Sequence, residues 1–308
     1  MSLSTLQPQT SLIKFPDYYD FRASCSRQSF SLPESMIYYI ARNPLSPKVY
    51  QKLVRTCKYF FIKNPILIFH CLYFEDGNWK TCSIKNCYGR PETCKYRKIA
   101  CDLRKVLSKI WIHCRLHISS SESNVASSII SKIYNADVKK LHLDGQNITF
   151  NDLLFLSKKL WQIKLYQSYV FYENRVEVPY EIVLANLPMI TYFLFKNTNQ
   201  FYDFSNTVKE LLKIPHFKNL KAFVGFGLNE SFDIVTFFEY LKRKNTPTKV
   251  SLTFFAQLSE EYIGNLAIIV DEILFAELPR SYIPPFIGYN GQPRSKNYAL
   301  FNLCKSYD

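Results

Sequence analysis

Six short segments of alternating character recur along the chain and constrain its fold more than any other feature. They are Arg115–Ile118, Lys140–Leu143, Ile163–Leu165, Tyr192–Leu194, Ala222–Val224 and Val250–Leu252. Taking Leu116, Leu141, Ile163, Tyr192, Ala222 and Val250 as equivalent anchors, the intervals run from 22 to 30 residues. A unit of that size cannot bury its own apolar face and must stack on its neighbours. Between segments the apolar spacing changes from the strand pattern to the helical one. Val125, Ile129, Ile130 and Ile133 form one stripe; Leu153, Leu154, Leu156 and Leu160 form another, with Thr149 three residues ahead of Asp152 as a cap. Val208, Leu211 and Leu212 mark a third, and Ile234, Phe237, Phe238 and Leu241 a fourth. A long last helix, from Ile263 to Ile273, is expected to close the stack.

The unit Lys140-Leu-His-Leu-Asp-Gly-Gln-Asn147 resembles a leucine-rich repeat, and the other units are degenerate versions of it. The expected class is therefore α/β, an irregular leucine-rich-repeat-like solenoid with parallel strands inside and helices outside. A mixed α/β domain with alternating elements is the plainer alternative. Strand alternation then sends His117, His142, Lys164, Phe193, Phe223 and Ser251 to the concave face, followed by Asp144 and Tyr166. Aromatic and polar groups mixed in this way suit recognition of a target protein.

Glycine is scarce, 8 in 308 residues, and no phosphate-binding loop occurs. Gly225 and Gly227 form a G-x-G without the third glycine that a dinucleotide fingerprint needs. Zinc-protease, nucleophile-elbow and calcium-loop patterns are also missing. The net charge of +14 is unevenly spread: residues 80–109 hold nine Lys/Arg against two Asp/Glu, whereas 110–277 hold seventeen of each. A neutral majority is a poor scaffold for following a phosphate backbone, so nucleic acid is not the expected partner. The alternative reading is a nucleic-acid-binding protein that uses segment 80–109, with Trp79, Tyr88 and Tyr96 interleaved among the cations.

Residues 31–63 read as two helices around a proline-bounded turn. Ser31-Leu-Pro-Glu34 has the form of a capping box with Pro33 at the first helical position, and Ser46-Pro47 repeats the device. Met36, Ile37 and Ile40 fall on one face of the first helix, and Val49, Leu53, Val54, Cys57, Phe60 and Phe61 form an apolar stripe along the second. Leu32-Pro33, the Ile37/Ile40 turn and Leu53-Val-Arg-Thr-Cys57-Lys-Tyr-Phe-Phe61 together resemble an F-box. The wording of the second helix is most similar to the divergent nematode-type F-box proteins, in which a leucine-rich-like half follows. The resemblance spans about 40 residues, and no Trp stands near Tyr59 or Phe60, where many F-boxes carry one. It implies docking onto the Skp-type adaptor of a cullin–RING ubiquitin ligase through Leu32, Pro33, Ile37, Ile40, Val54 and Cys57. It also implies a non-catalytic receptor; a leucine-rich scaffold with no ligase link is the remaining alternative.

Cys82, Cys87, Cys94, Cys101 and Cys114, with His113 and His117 nearby, invite a zinc reading. Only Cys82 and Cys87, with four residues between them, approach the usual C-x₂₋₄-C knuckle; the other gaps are too wide to complete a site, so no metal and no cofactor are expected. His70 reads as a packing residue, and Leu103, Val106, Leu107 and Ile110 as a helical stripe over about 99–110, with Cys101 beside it as a small hydrophobe. The chain then divides into a flexible segment 1–27, the helical motif 28–74, a basic Cys-rich linker and helix 75–109, the repeat domain 110–277 and a tail 278–308. The opening residues carry no basic-then-apolar leader, so a cytoplasmic or nuclear protein with no membrane association is expected.

Overall fold

The computed structural model describes residues 13, 15, 17–82, 98–103, 106–243, 248–255, 257–278 and 280–307. Four helices come first: α1 (Tyr18–Ala23), α2 (Glu34–Arg42), α3 (Pro47–Thr56) and α4 (Lys58–Lys63). Then follow β1 (Ile66–Glu75), β2 (Asn78–Cys82), β3 (Lys98–Ala100), β4 (Lys109–Ser119), α5 (Val125–Ile130), β5 (Ile133–Ala136) and β6 (Lys140–Asp144). The middle holds β7 (Asn147–Thr149), α6 (Phe150–Leu156), β8 (Gln162–Tyr166), β9 (Tyr169–Phe171), α7 (Tyr180–Ala185), β10 (Tyr192–Lys196) and α8 (Thr207–Leu211). The chain ends with β11 (Ala222–Leu228), α9 (Ile234–Arg243), β12 (Lys249–Phe254), α10 (Glu260–Phe275), β13 (Phe286–Tyr289) and α11 (Arg294–Lys305).

The fold is mixed α/β around a large, mostly parallel sheet of order β13-β12-β11-β10-β8-β6-β4-β1-β2-β3, with β5 also paired to β4. From β4 to β13 each long strand lies beside the next one in sequence, all parallel. All six expected strand segments are among them. One backbone bond repeats just ahead of successive strands: Trp161 N–H donates to the Lys139 carbonyl at 3.0 Å, Thr191 to Trp161 at 2.9 Å, Lys221 to Thr191 at 2.7 Å and Lys249 to Lys221 at 2.9 Å. Helices α5 to α11 all contribute to one core on a single side of this sheet, including Leu153, Val183, Val208, Phe237, Val270 and Leu300. Polar side chains secure the turns after the strands: the buried Gln146 donates to the Glu122 carbonyl at 2.8 Å, and the half-buried Asn229 to the Tyr202 carbonyl at 2.7 Å. Such bonds supply partners to backbone that the sheet leaves unpaired.

The N-terminal helices have a small core of their own, Ile37, Ala41 and Phe60 with Phe30, Leu53, Val54 and Cys57 against them. They dock on the opposite side of the sheet from the main core, where Tyr50 packs with Ile66 and Trp111. The Tyr50 hydroxyl donates to the Asn64 carbonyl and accepts from the Ile66 N–H at 3.1 Å. Asn64 Nδ2 donates to the Ala41 carbonyl at 3.1 Å, tying the end of α2 to the strand entry.

Several local expectations change. The cap at Ser46 forms as read, its hydroxyl accepting from the Val49 N–H, and so does Thr149 on Asp152. Ser31 does not cap α2; Pro33 itself is the N-cap residue, and its carbonyl opens the helix by accepting from Ile37. What read as one second helix breaks at Cys57, which is extended at φ −152°, into α3 and α4. No helix spans 99–110: β3 pairs with β2, and β4 begins at Lys109. There Leu103, Val106 and Ile110 are buried from irregular chain and strand, whereas Leu107 is exposed. Strand β1 belongs to the sheet, so the helical motif ends at Lys63 rather than at 74. Helix α10 is not the last element, because the tail adds β13 to the sheet edge and α11 to the core. Cys87, Cys94, Tyr88 and Tyr96 lie outside the described residues.

Candidate functional site

Among the described residues two surfaces stand out, and each has a different chemistry. The first is the outer side of the N-terminal helices. Leu32, Met36 and Ile40 follow one another at four-residue intervals, with Tyr39 beside them, and all four are exposed. Leu45 in the following turn, 92% exposed, and Val49 on α3 extend the row. The opposite side of α2, Ile37 and Ala41, faces the small helical core. Of the six residues implied by the F-box resemblance, Leu32, Pro33 and Ile40 are therefore outward-facing. Ile37, Val54 and Cys57 point inward and hold the three helices together. Met36 and Ile40 therefore share the outer face, whereas Ile37, expected on that same face, turns inward; Tyr39 joins the outer row, and its three-residue spacing from Met36 is the signal that would have found it.

The second surface is the sheet side opposite helices α5 to α11, beyond the end that Tyr50 and the N-terminal helices cover. His117, His142 and Lys164 stand in register on β4, β6 and β8, with Asp144 and Tyr166 one pleat further on. The rings form a ladder: His117 lies 4.1 Å from His142, and His142 lies 5.1 Å from Tyr166, centroid to centroid. His117 Nε2 sits 3.5 Å from Glu75 Oε1, and Ser119 Oγ donates to Asp144 Oδ2 at 3.0 Å. Burial, followed by the His117 and Lys164 charges, pushes the His142 imidazole down to about 3, so it is neutral near pH 7. Burial, with Tyr192 and Asp144 adding to it, raises the Tyr166 phenol.

Register corrects two residues assigned to this side. Phe193 pairs with Ile163, and Phe223 with Phe193, so these phenylalanines are the anchors, at 0% and 1% exposure. Tyr192 and Ala222 are one position out of phase with Ile163. A slip of one residue exchanges the two sides of a strand, and Tyr-Phe-Leu-Phe offers no polar residue to set the phase. On the open side the places of Phe193 and Phe223 are taken by Leu194 and Val224, in register with Lys164 and Ser251. The same side also carries Arg115, Lys140, Lys196 and Lys249. The neutral total for 110–277 had concealed this segregation of cations onto one side. Lys140 Nζ stands 4.7 Å from the Trp161 ring centre and Lys164 Nζ 5.5 Å from that of Tyr192. At the C-terminal ends of these strands an open groove is lined by Asp76, Ser119, Glu122, Asp144, Gln167 and Thr198. Hydrogen-bonding groups dominate it, which suits the polar rim of a protein contact.

Comparison with protein-family models, with curated proteins and with solved structures finds no match for this chain. No helix among the described residues is long and apolar enough to cross a membrane.

Proposed function

We propose that this chain is the substrate-recognition subunit of a cullin–RING ubiquitin ligase of the Skp–cullin–F-box type. The N-terminal helices would be a divergent F-box, and the strand-and-helix units an irregular leucine-rich-like solenoid. The observation that carries the reading is the exposed row Leu32, Met36, Tyr39 and Ile40, continued by Leu45 and Val49. A helix that presents an apolar stripe away from its own core is built to lay it in a partner's groove, and the Skp-type adaptor offers one to F-boxes. The solenoid reading is supported by the sequential parallel strands, the repeated bond before each of them and the helices gathered on one side. The open strand side would then hold the target protein, its cations and aromatic rings favouring an acidic surface. Such a receptor needs no catalytic residues, because tethering alone raises the local concentration of the target at the ubiquitin-loaded enzyme. It would work in the cytoplasm or nucleus.

The test is a pull-down of the purified chain with a Skp-type adaptor. Wild type should bind, whereas Leu32→Ala/Pro33→Ala and Met36→Ser/Ile40→Ser should not, with circular dichroism unchanged. Lys164→Ala, on the strand side, should bind like wild type. A wild-type chain that ignores the adaptor leaves a scaffold without a ligase link and defeats the proposal.

A further inference from the structure

The pairing of β1 with β4 breaks at one place, and the break gathers three metal-ligating side chains. Phe69 stands opposite Ile112, but Cys71 stands opposite Arg115, so His70 is faced by two residues, His113 and Cys114. Bulges of this kind are rare between parallel strands and re-aim side chains where they occur. On β1, Leu67 and Phe69 and then Leu72 and Phe74 join the main core. Alternation is therefore interrupted between Phe69 and Leu72, and the consecutive residues His70 and Cys71 both leave the core side. Cys114 comes to meet them from the bulged part of β4. The ligand atoms of His70, Cys71 and Cys114 all lie within 4.8 Å of one another. Cys71 is 1% exposed, and Cys114 shares hydrogen bonds with both Cys71 and His70.

We propose that His70, Cys71 and Cys114 bind one thiolate-seeking divalent cation of the zinc class. Around tetrahedral zinc, with Zn–S about 2.3 Å and Zn–N about 2.0 Å, ligand atoms stand roughly 3.5–3.8 Å apart. From separations of up to 4.8 Å the donors need to draw in by no more than about 1.3 Å, within reach of small side-chain rotations. Charge agrees with burial: binding releases the two thiol protons, and a dication held by two thiolates and a neutral imidazole adds no net charge to a buried place. Two thiolates and an imidazole also select zinc over calcium or magnesium, which take oxygen ligands. Three protein ligands leave a fourth position. The ring of His113 lies 5.6 Å from that of His70, and its buried Nδ1 has no hydrogen-bond partner among the described residues. The metal would bridge β1 and β4 where their own ladder is interrupted. The sequence spacing gives no hint of this site, because its ligands are joined by strand pairing across 43 residues.

The experiment uses the full chain, stripped with a chelator and then titrated with Co²⁺ and with Zn²⁺. One Co²⁺ per chain should bind with sulfur-to-cobalt charge-transfer absorption and the strong visible bands of a tetrahedral site. One equivalent of Zn²⁺ should displace it, release about two protons near neutral pH and raise the melting temperature. Cys114→Ser and His70→Ala should each weaken binding by about 100-fold or more. Cys82→Ser and the pair Cys87→Ser/Cys94→Ser should bind as wild type does. Should Cys71→Ser fail to fold, the Cys114 and His70 variants carry the test. Absence of the charge-transfer band, unaltered affinity in Cys114→Ser, or loss of binding in Cys87→Ser/Cys94→Ser would each overturn the assignment.

Discussion

Removing one hydroxyl should reveal how the helical motif is held to the sheet. Tyr50 on α3 is 2% exposed, and its hydroxyl serves two backbone groups, the Asn64 carbonyl and the Ile66 N–H at the entry to β1. Tyr50→Phe keeps the ring against Ile66 and Trp111 but leaves both groups buried without a partner. At about 1–3 kcal/mol for each orphaned group, the combined loss should be about 3 kcal/mol. An unfolding entropy of about 2.1 cal/mol/K per residue gives roughly 0.65 kcal/mol/K for a chain of this length, so the melting temperature should fall by about 5 °C. Urea titration followed by tryptophan fluorescence measures the loss, and Trp111 lies in the affected cluster. Limited proteolysis between α2 and α3 would show whether the helices detach before the sheet unfolds. A loss below about 0.5 kcal/mol, with proteolysis unchanged, would mean that these bonds do not hold the motif in place.

Further outcomes follow from the same structure. Between about pH 3 and 6.5 the unfolded chain protonates His142 while the folded chain does not, so stability should fall as the pH drops below 6.5. The share from this group is up to about 2 kcal/mol at pH 5, and His142→Gln should remove it; equal losses in both proteins between pH 7 and pH 5 would refute the assignment. Phe193→Ala should cost about 3–5 kcal/mol, whereas Tyr192→Ala, on the other side of the same strand, should cost about 1 kcal/mol; similar values would contradict the register. Gly227 has φ +77°, and a Cβ there would lie 2.0 Å from the Asn197 carbonyl oxygen. Gly227→Ala should therefore destabilise by more than about 2 kcal/mol, and Gly77→Ala, at φ +71° in open space, by about 1 kcal/mol; denaturation curves that rank them in reverse would defeat the steric argument.

The strands, their parallel order and most of the helices were legible because one physical device, an apolar stripe that needs a neighbour, recurs along the chain. Caps such as Ser46 and Thr149 were legible because hydroxyl and spacing agree locally, with Pro47 adding to the signal at Ser46. Phase was lost where both sides of a strand are apolar, at Tyr192–Phe195 and Ala222–Gly225, since alternation then carries no information. The stretch 99–110 failed for a related reason: four apolar residues at helical spacing also fit a short strand, an irregular crossing and the start of another strand. Pro284-Pro285 and the Gly288–Gly291 turn are compatible with a tail that caps the stack or hangs free; β12 has an edge to be covered, and β13 pairs with it. Of the candidate surfaces, Leu32, Pro33 and Ile40 were legible from the motif and His117, His142 and Lys164 from alternation. The joining of His70 and Cys71 to Cys114 was not, because a bulge obeys the pairing of two strands rather than the pattern of either.

Amide hydrogen exchange on the full chain, alone and with a saturating Skp-type adaptor, tests the division of labour between the two surfaces most directly. The account predicts slower exchange across residues 31–56, spanning α2, the Leu45 turn and α3, with β6, β8 and β10 unchanged. Protection on those strands instead, or none anywhere, would contradict it.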